Sequence, residues 1–159
     1  MKIVAFSGNS NSGKTTLIEK IAFLLKDKKV CIIKHDPKDK ALFDKEGKDS
    51  DRFYKSGAAV AILGERQSAI RIHKKLEIAT IKNLFSDYDY LFIEGLKELP
   101  FCRITIAREV FDERFIPYSQ AFAIDESINK NVIPKEMAIL DLNNPQSILE
   151  WIDKNIKDS

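Results

Sequence analysis

The run Ile3-Val4-Ala5-Phe6-Ser7-Gly8-Asn9-Ser10-Asn11-Ser12-Gly13-Lys14-Thr15-Thr16 decides the fold. Residues 3–6 are continuously apolar and partly β-branched, the pattern of a strand buried on both faces. From residue 14 the spacing changes, and Leu17, Ile18, Ile21, Ala22, Leu24 and Leu25 recur at helical intervals. The segment joining strand to helix, residues 8–15, fits G-x-x-x-x-G-K-[ST] in the structural context that sets this pattern apart from a chance glycine loop. Its glycines let the backbone wrap an anion with N–H groups pointing inward, and the helix start adds the positive end of its dipole. The nucleotide-binding candidates are therefore Gly8, Asn9, Ser10, Asn11, Ser12, Gly13, Lys14, Thr15 and Thr16. Lys14 supplies a point charge for the β and γ phosphates, Thr15 is placed to ligate Mg²⁺, and Thr16 brings a hydroxyl near the α-phosphate.

The rest of the chain extends this unit. Residues 30–33 form a second apolar strand, and strand, helix and strand within about 30 residues make a parallel crossover. Residues 34–50 dissolve into charge, with Asp36-Pro37 and Glu46-Gly47 as breakers, which predicts a long loop at the carboxyl end of the second strand. A short helix is expected over 49–56. Residues 59–63 and 69–73 flank Gly64-Glu65-Arg66-Gln67 as an antiparallel hairpin, read as an edge on the parallel sheet. A helix over 77–85 with Ile78, Ile81, Leu84 and Phe85 on one face is followed by a strand over 88–93 and further strands over 103–107, 121–124 and 138–142. Asn144-Pro145 reads as an N-cap and a first-turn proline opening a last helix that runs to about residue 156, with Ile148, Leu149, Ile152 and Ile156 facing inward. The expected architecture is α/β: one P-loop NTPase domain over residues 1–159, three-layered, with a mostly parallel sheet and an antiparallel edge hairpin.

Composition narrows the partners. With 44% hydrophobic and 31% charged residues, the 159-residue chain reads as one soluble globular domain with a sizeable core. Lys and Arg number 26 against 24 Asp and Glu, and that near balance argues against nucleic acid as a main partner. No secretion signal is visible, and no apolar stretch approaches the ~20 residues of a membrane span. Cys31 and Cys102 have no second Cys or His at ligand spacing and read as free thiols in a reducing compartment, so a cytoplasmic protein is expected.

Outside the phosphate loop the strongest chemical candidate is Glu94. It stands at the tip of Tyr90-Leu91-Phe92-Ile93, where P-loop enzymes place the carboxylate that holds Mg²⁺ or its water shell, so Lys14 and Glu94 are the catalytic candidates and Thr15 and Glu94 the metal candidates. Gly95 is positioned to offer a backbone N–H to the γ-phosphate. Asp89 lies at the opposite end of that strand. His35 ends the second strand and is expected beside the phosphate loop in a doubly wound sheet, whereas His73 lies in the hairpin and reads as bland. Residues 44–50 read equally as a solvated loop and helix cap or as part of a site. Asn129-Lys130-Asn131 carries the first two residues of a guanine-reading Asn-Lys-x-Asp loop but lacks its Asp, and no Lys follows Gly8 as in the deviant Walker A ATPases.

Four stretches taken together, GNSNSGKTTL, CIIKHD, FDKEGKDSDRFYKSGA and DYLFIEGLK, resemble the MobB family of molybdopterin-guanine dinucleotide biosynthesis adapter proteins along nearly the whole chain. On the matching motifs the resemblance adds Lys34 and His35, Asp44 with Gly47, Lys48, Asp49 and Ser50, and Gly95 and Lys97 beside Glu94 as site candidates; Arg108, in the strand that follows, is a further one. It implies a homodimer that binds GTP and Mg²⁺, hydrolyses GTP weakly, and acts beside the guanylyltransferase MobA in molybdenum cofactor maturation without being that transferase. Family members often carry further histidines after the Lys-His pair, where this chain has Asp36, Pro37 and Lys38, so a histidine ligand cluster is not expected here. Two other readings are open on the residues alone: a small-molecule kinase using ATP, and a scaffold that binds nucleotide or pterin without turnover.

Overall fold

A computed structural model describes residues 1–158. In chain order the elements are β1 (Lys2–Ser7), α1 (Lys14–Leu24), β2 (Val30–Lys34), α2 (Asp49–Lys55), β3 (Val60–Leu63), β4 (Ser68–Arg71), α3 (Ile78–Leu84), β5 (Tyr90–Glu94), β6 (Arg103–Ala107), β7 (Ala121–Ile124), β8 (Ala138–Asp141) and α4 (Pro145–Asn155), with short 3-10 helices at Glu113–Tyr118 and Lys130–Val132. They fall into two compact units, Met1–His35 with the chain from Phe85 onward, and Asp36–Leu84.

The larger unit is a six-stranded sheet in the order β2-β5-β1-β6-β7-β8, with every neighbouring pair parallel. Its central strands are apolar on both faces because a parallel sheet is covered on both. Alternation then divides the side chains. Val4 and Phe6, Tyr90 and Phe92, Ile104 and Ile106, and Ala121 and Ala123 share one core with Leu17, Ile18 and Ile21 of α1 and Ile148, Leu149 and Ile152 of α4. Ala107, Phe122 and Ile124 instead pack with Ile128 and Ile133 in a second cluster. Asn144 caps α4 by accepting the Ser147 N–H at 3.1 Å, with Pro145 in the first turn, as its sequence signature demands.

The mostly parallel sheet and the hairpin both form. β3 and β4 pair only with each other, however, so the hairpin is a sheet of its own and β2 and β8 are the edges of the larger one. The apolar stripe expected on residues 77–85 produces α3, but none of its residues is buried and Leu84 is exposed. Cys31 and Cys102 are free thiols, and burial pushes both up from the ordinary thiol range, so neither is an activated nucleophile.

The α1 and α4 face supplies the stability of the larger unit. Replacing Ile152, which is fully buried, by alanine removes buried methylenes and leaves a cavity. Urea unfolding followed by the fluorescence of Trp151, the chain's single tryptophan, will show a loss of about 2–5 kcal/mol with an unchanged denaturant slope.

Candidate functional site

The site is built at the carboxyl edge of the larger sheet, starting where β1 ends. Gly8 has φ +139, and a Cβ on it would stand 2.3 Å from the Ile106 carbonyl oxygen, so only glycine lets the loop lie this close to β6. Asn11 at φ +63 and Gly13 at φ +95 complete the curl, and Gly13 caps α1 without a side-chain bond. The first N–H groups of α1 are therefore left to an anion. Ser12 is buried inside this loop and its Oγ is without a hydrogen-bond partner, an orphaned polar atom of the kind a bound ligand satisfies.

Lys14 folds back over the loop and donates from Nζ to the carbonyls of Gly8 at 3.1 Å and Asn9 at 2.7 Å. Burial draws its ammonium below the ordinary lysine range; Glu94 opposes that shift and Lys34 adds to it. Thr15 donates from Oγ1 to Oε1 of Glu94 at 3.1 Å, and Nζ of Lys34 lies 3.7 Å from the other carboxylate oxygen. Thus Lys14, Thr15, Lys34 and Glu94 meet, brought together because Lys34 and Glu94 are register partners at the ends of β2 and β5 and Phe6 pairs with Glu94 from β1. A carboxylate and a hydroxyl are hard oxygen donors suited to Mg²⁺ completed by phosphates and water. Among the described residues no group of three or more His, Cys, Asp or Glu could hold a metal by itself.

β5 stands between β1 and the strand that His35 follows; the His35 N–H donates to the Glu94 carbonyl at 3.1 Å, and a Cβ on Gly95 would lie 3.2 Å from its own. One expectation is overturned. The Gly95 N–H is not open to a phosphate, since it donates to the Phe6 carbonyl at 3.0 Å and so continues the β1–β5 ladder. The chain turns at the next residue, Leu96, with φ +49.

Arg108 does reach the loop, with Nη1 standing 3.9 Å from where a Cβ of Gly13 would be. Its Nε donates to Asp125 at 2.7 Å, and Ser127 and Arg108 together hold the Asp125 carboxyl below the usual carboxylate range. Asp125 escaped the sequence reading, although an acid directly after β7 repeats the signal that singled out Glu94. Thr16 opens onto a cavity of about 550 Å³ walled by Phe23 and Pro145 and bordered by the amides of Asn143, Asn144 and Gln146. Lys97 stands apart from Glu94 and lines a different cavity, of about 480 Å³, with Phe101, Tyr118 and Gln120. The side chain of Asn129 caps the 3-10 helix at 130–132 by accepting the Asn131 N–H at 3.0 Å.

Asp44, Gly47, Lys48, Asp49 and Ser50 belong to the other unit, where they form the turn that starts α2. Ser50 donates to Asp44 at 2.5 Å, Lys48 is the N-cap, and Asp49 lies 3.9 Å from Arg52. The residue that locks the turn is one the motif reading left unassigned. Asp51, 5% exposed, accepts the Gly47 N–H at 3.0 Å and pairs with Lys55 at 2.9 Å and Arg71 at 3.4 Å. Arg71 lies over the Tyr54 ring at 3.6 Å, and Tyr54 stacks on His73 at 3.8 Å, which accounts for His73 without chemistry. The signal in the sequence was the Asp51–Lys55 spacing of four on a helix.

Comparison with known proteins agrees with this geometry. Residues 3–125 match the family model described as "MobB: Molybdopterin guanine dinucleotide synthesis protein B". A putative molybdopterin-guanine dinucleotide biosynthesis adapter protein of Methanocaldococcus jannaschii is 36% identical over 100 residues, 62% of this chain and 42% of that one, so the chain spans about two fifths of that relative's length. A probable adapter protein of the same description from Bacillus subtilis is 34% identical over 116 residues, covering 69% of this chain and 67% of the relative. The crystal structure of Bacillus subtilis MobB superposes with a TM-score of 0.79 over the whole of both chains at 23% identity, a likeness of fold.

The Asp51 latch has a pH signature. Its carboxyl is held down to about 2, with the Gly47 N–H the largest cause and Lys55 next. A depressed carboxylate stabilises the folded state above its unfolded pKa near ~3.9, and that contribution is lost as the pH falls through the folded value. The Gly47 amide proton will therefore titrate with a midpoint of about 2 in NMR spectra of the native chain and show no such step in Asp51→Asn; a midpoint in the ordinary Asp range would disprove the latch.

Proposed function

Because the chain belongs to the MobB family, we propose that it is a GTP-binding adapter in molybdopterin guanine dinucleotide biosynthesis, with weak Mg²⁺-dependent GTPase activity, working in the cytoplasm beside a MobA-type guanylyltransferase. The observation that carries the reading is the meeting of Thr15 and Glu94, at 3.1 Å, directly beside the phosphate loop and Lys14. The loop and the start of α1 bind the phosphate chain, and Lys14 exchanges the Gly8 and Asn9 carbonyls for phosphate oxygens. Thr15 and Glu94 would hold Mg²⁺, which neutralises charge developing between the β and γ phosphates. Thr16, at the α-phosphate end, points the nucleoside toward the cavity it borders, whose apolar walls and amide rim suit a purine base.

The same residues support slow turnover. Phosphoryl transfer relies on positioning and on charge that stabilises the transition state, and a missing arginine finger lowers rates by about 10³–10⁵-fold. Arg108 is near the loop but is bound by Asp125, so its charge braces Gly13 rather than reaching forward. The remaining charge comes from a partner in this reading. The homodimer rests on the hairpin unit, where Leu63 is 80% and Ile70 65% exposed on short strands paired only with each other. Among the described residues no helix is long and apolar enough to cross a membrane.

Thermal-shift titration with Mg²⁺ and either GTP or ATP tests the assignment. GTP at about 100 times its Kd will stabilise the native chain by about 2.7 kcal/mol, and Lys14→Ala will abolish the shift. Equal or greater stabilisation by ATP, with a phosphorylated acceptor instead of free phosphate, would replace the adapter by the kinase. Phosphate release will rise on titrating purified MobA, and Arg108→Ala will weaken GTP binding; an unchanged rate with MobA argues against the partnership.

A further inference from the structure

We propose that Arg103 is a positioning residue of the nucleotide site, its buried guanidinium tying the turn after Glu94 to the end of β1 and so setting where the Glu94 carboxylate stands relative to the phosphate loop. The inference rests on the Mg²⁺-nucleotide reading given above. Arg103 is the first residue of β6 and is 0% exposed, in a strand whose pattern an isoleucine or valine would satisfy. Burying a guanidinium is costly unless its donors find acceptors, and among the described residues no carboxylate forms an ion pair with it. Its hydrogen-bond partners are uncharged, the Glu98 carboxylate supports its charge without pairing with it, and its buried Nε has no partner among the described residues. Nη1 donates to Ser7 Oγ at 2.7 Å and to the Gly95 carbonyl at 3.1 Å, and Nη2 donates to the carbonyls of Leu96 at 2.9 Å and Leu99 at 3.2 Å.

The identity of those partners separates this arrangement from simple core filling. Ser7 is the last residue of β1, next to Gly8, and Gly95 directly follows Glu94. One planar fork therefore joins the segment that leads into the phosphate loop to the segment that carries the metal carboxylate. The turn it holds is not a resting conformation of the chain, because Gly95 and Leu96 have φ of +95 and +49 in succession, and a non-glycine residue keeps such a φ only where its surroundings enforce it. The guanidinium enforces it by fixing three carbonyls of the turn, whose dipoles in turn solvate the buried charge. Lysine keeps the charge but directs all its donors from one nitrogen and cannot span both arms of the fork; methionine keeps only the volume.

The test uses the full chain and four variants, Arg103→Met, Arg103→Lys, Ser7→Ala and Thr105→Val, assayed below every melting temperature for GTP hydrolysis and its Mg²⁺ dependence and, independently of turnover, for the Mg²⁺ concentration that half-saturates GTP binding in calorimetry, which will rise in Arg103→Met and Ser7→Ala and whose constancy in both overturns the proposal. Thr105 is the control: it is the register partner of Ser7 in β6, but its buried hydroxyl pairs with Ser119 at 2.6 Å and is no acceptor of the Arg103 fork. Arg103→Met will lower kcat by about 10²-fold, the loss that follows from misplacing a reacting group by about 1 Å, and will raise the Mg²⁺ concentration needed for half-maximal rate while KM for GTP moves far less. Arg103→Lys will recover part of that loss. Ser7→Ala, which removes one acceptor only, will show a smaller loss of the same kind and keeps the test decisive if Arg103→Met does not fold. Thr105→Val will lose stability and keep kcat. An unchanged kcat and Mg²⁺ requirement in Ser7→Ala and in a folded Arg103→Met, or an equal kcat loss in Thr105→Val, overturns the proposal while leaving the functional reading intact. A native chain that neither binds nor hydrolyses GTP or ATP with Mg²⁺ overturns both.

Discussion

The approach of Gly8 to the Ile106 carbonyl is the constraint on which the candidate site depends. A Cβ would meet that oxygen at 2.3 Å, so the loop leaves β1 flat against β6 and must curl through left-handed residues before α1 can start. That curl leaves the helix N-terminus uncapped by any side chain. An uncapped N-terminus at a sheet edge is unfavourable unless something negative satisfies it, and this need sets the segment apart from a generic turn. The buried, unpartnered Ser12 hydroxyl is a second local cost of the same curl.

Electrostatics at the edge follow from strand order. With β5 between β2 and β1, Glu94 lies beside both Lys34 across one ladder and the loop residues Lys14 and Thr15 across the other. One acid thus stands among two ammonium groups and a hydroxyl. Burial weakens the charged form of Lys14 while Glu94 supports it, so the site is balanced for a ligand that brings further negative charge and relieves Lys14 of its loop carbonyls. Lys34 is the more exposed of the two and closes the pair from the solvent side.

What could be read from the chain was what depends on local pattern. The strands and helices follow from apolar spacing, and the phosphate loop follows from a short run whose residue types dictate its backbone. Glu94 was legible because an acid ending an apolar strand has few structural reasons to be there. Strand order was not, and it consumed the Gly95 N–H in a ladder. Asp51's spacing to Lys55 and Asp125's place after β7 were local signals, whereas the roles of Arg103 and Arg71 were hidden for a reason related to strand order. Arg103 finds Ser7 across 96 residues of sequence, and Arg71 reaches Asp51 across 20. No spacing rule signals a partner at such a distance. The apolar stripe on 78–85 does produce α3, with Ile78, Ile81 and Phe85 half-buried and Leu84 exposed, since periodicity reports that a face is apolar but not how deeply it is covered.

A site with this composition is better suited to holding a nucleotide than to consuming it. The loop amides, Lys14 and Thr15 would act alike on ground state and transition state, which tightens binding without raising turnover. The cations near the loop are each engaged: Lys14 with the loop, Lys34 with Glu94, Arg108 with Asp125 and Arg103 with the turn. None is held in reserve for charge that appears only during transfer. Within the larger unit the turn from Gly95 to Leu99 begins beside Glu94, and its carbonyls are held by a single buried guanidinium. In the proposed reading, weak turnover, a held nucleotide and a strained turn with one clamp all follow from the same arrangement of residues.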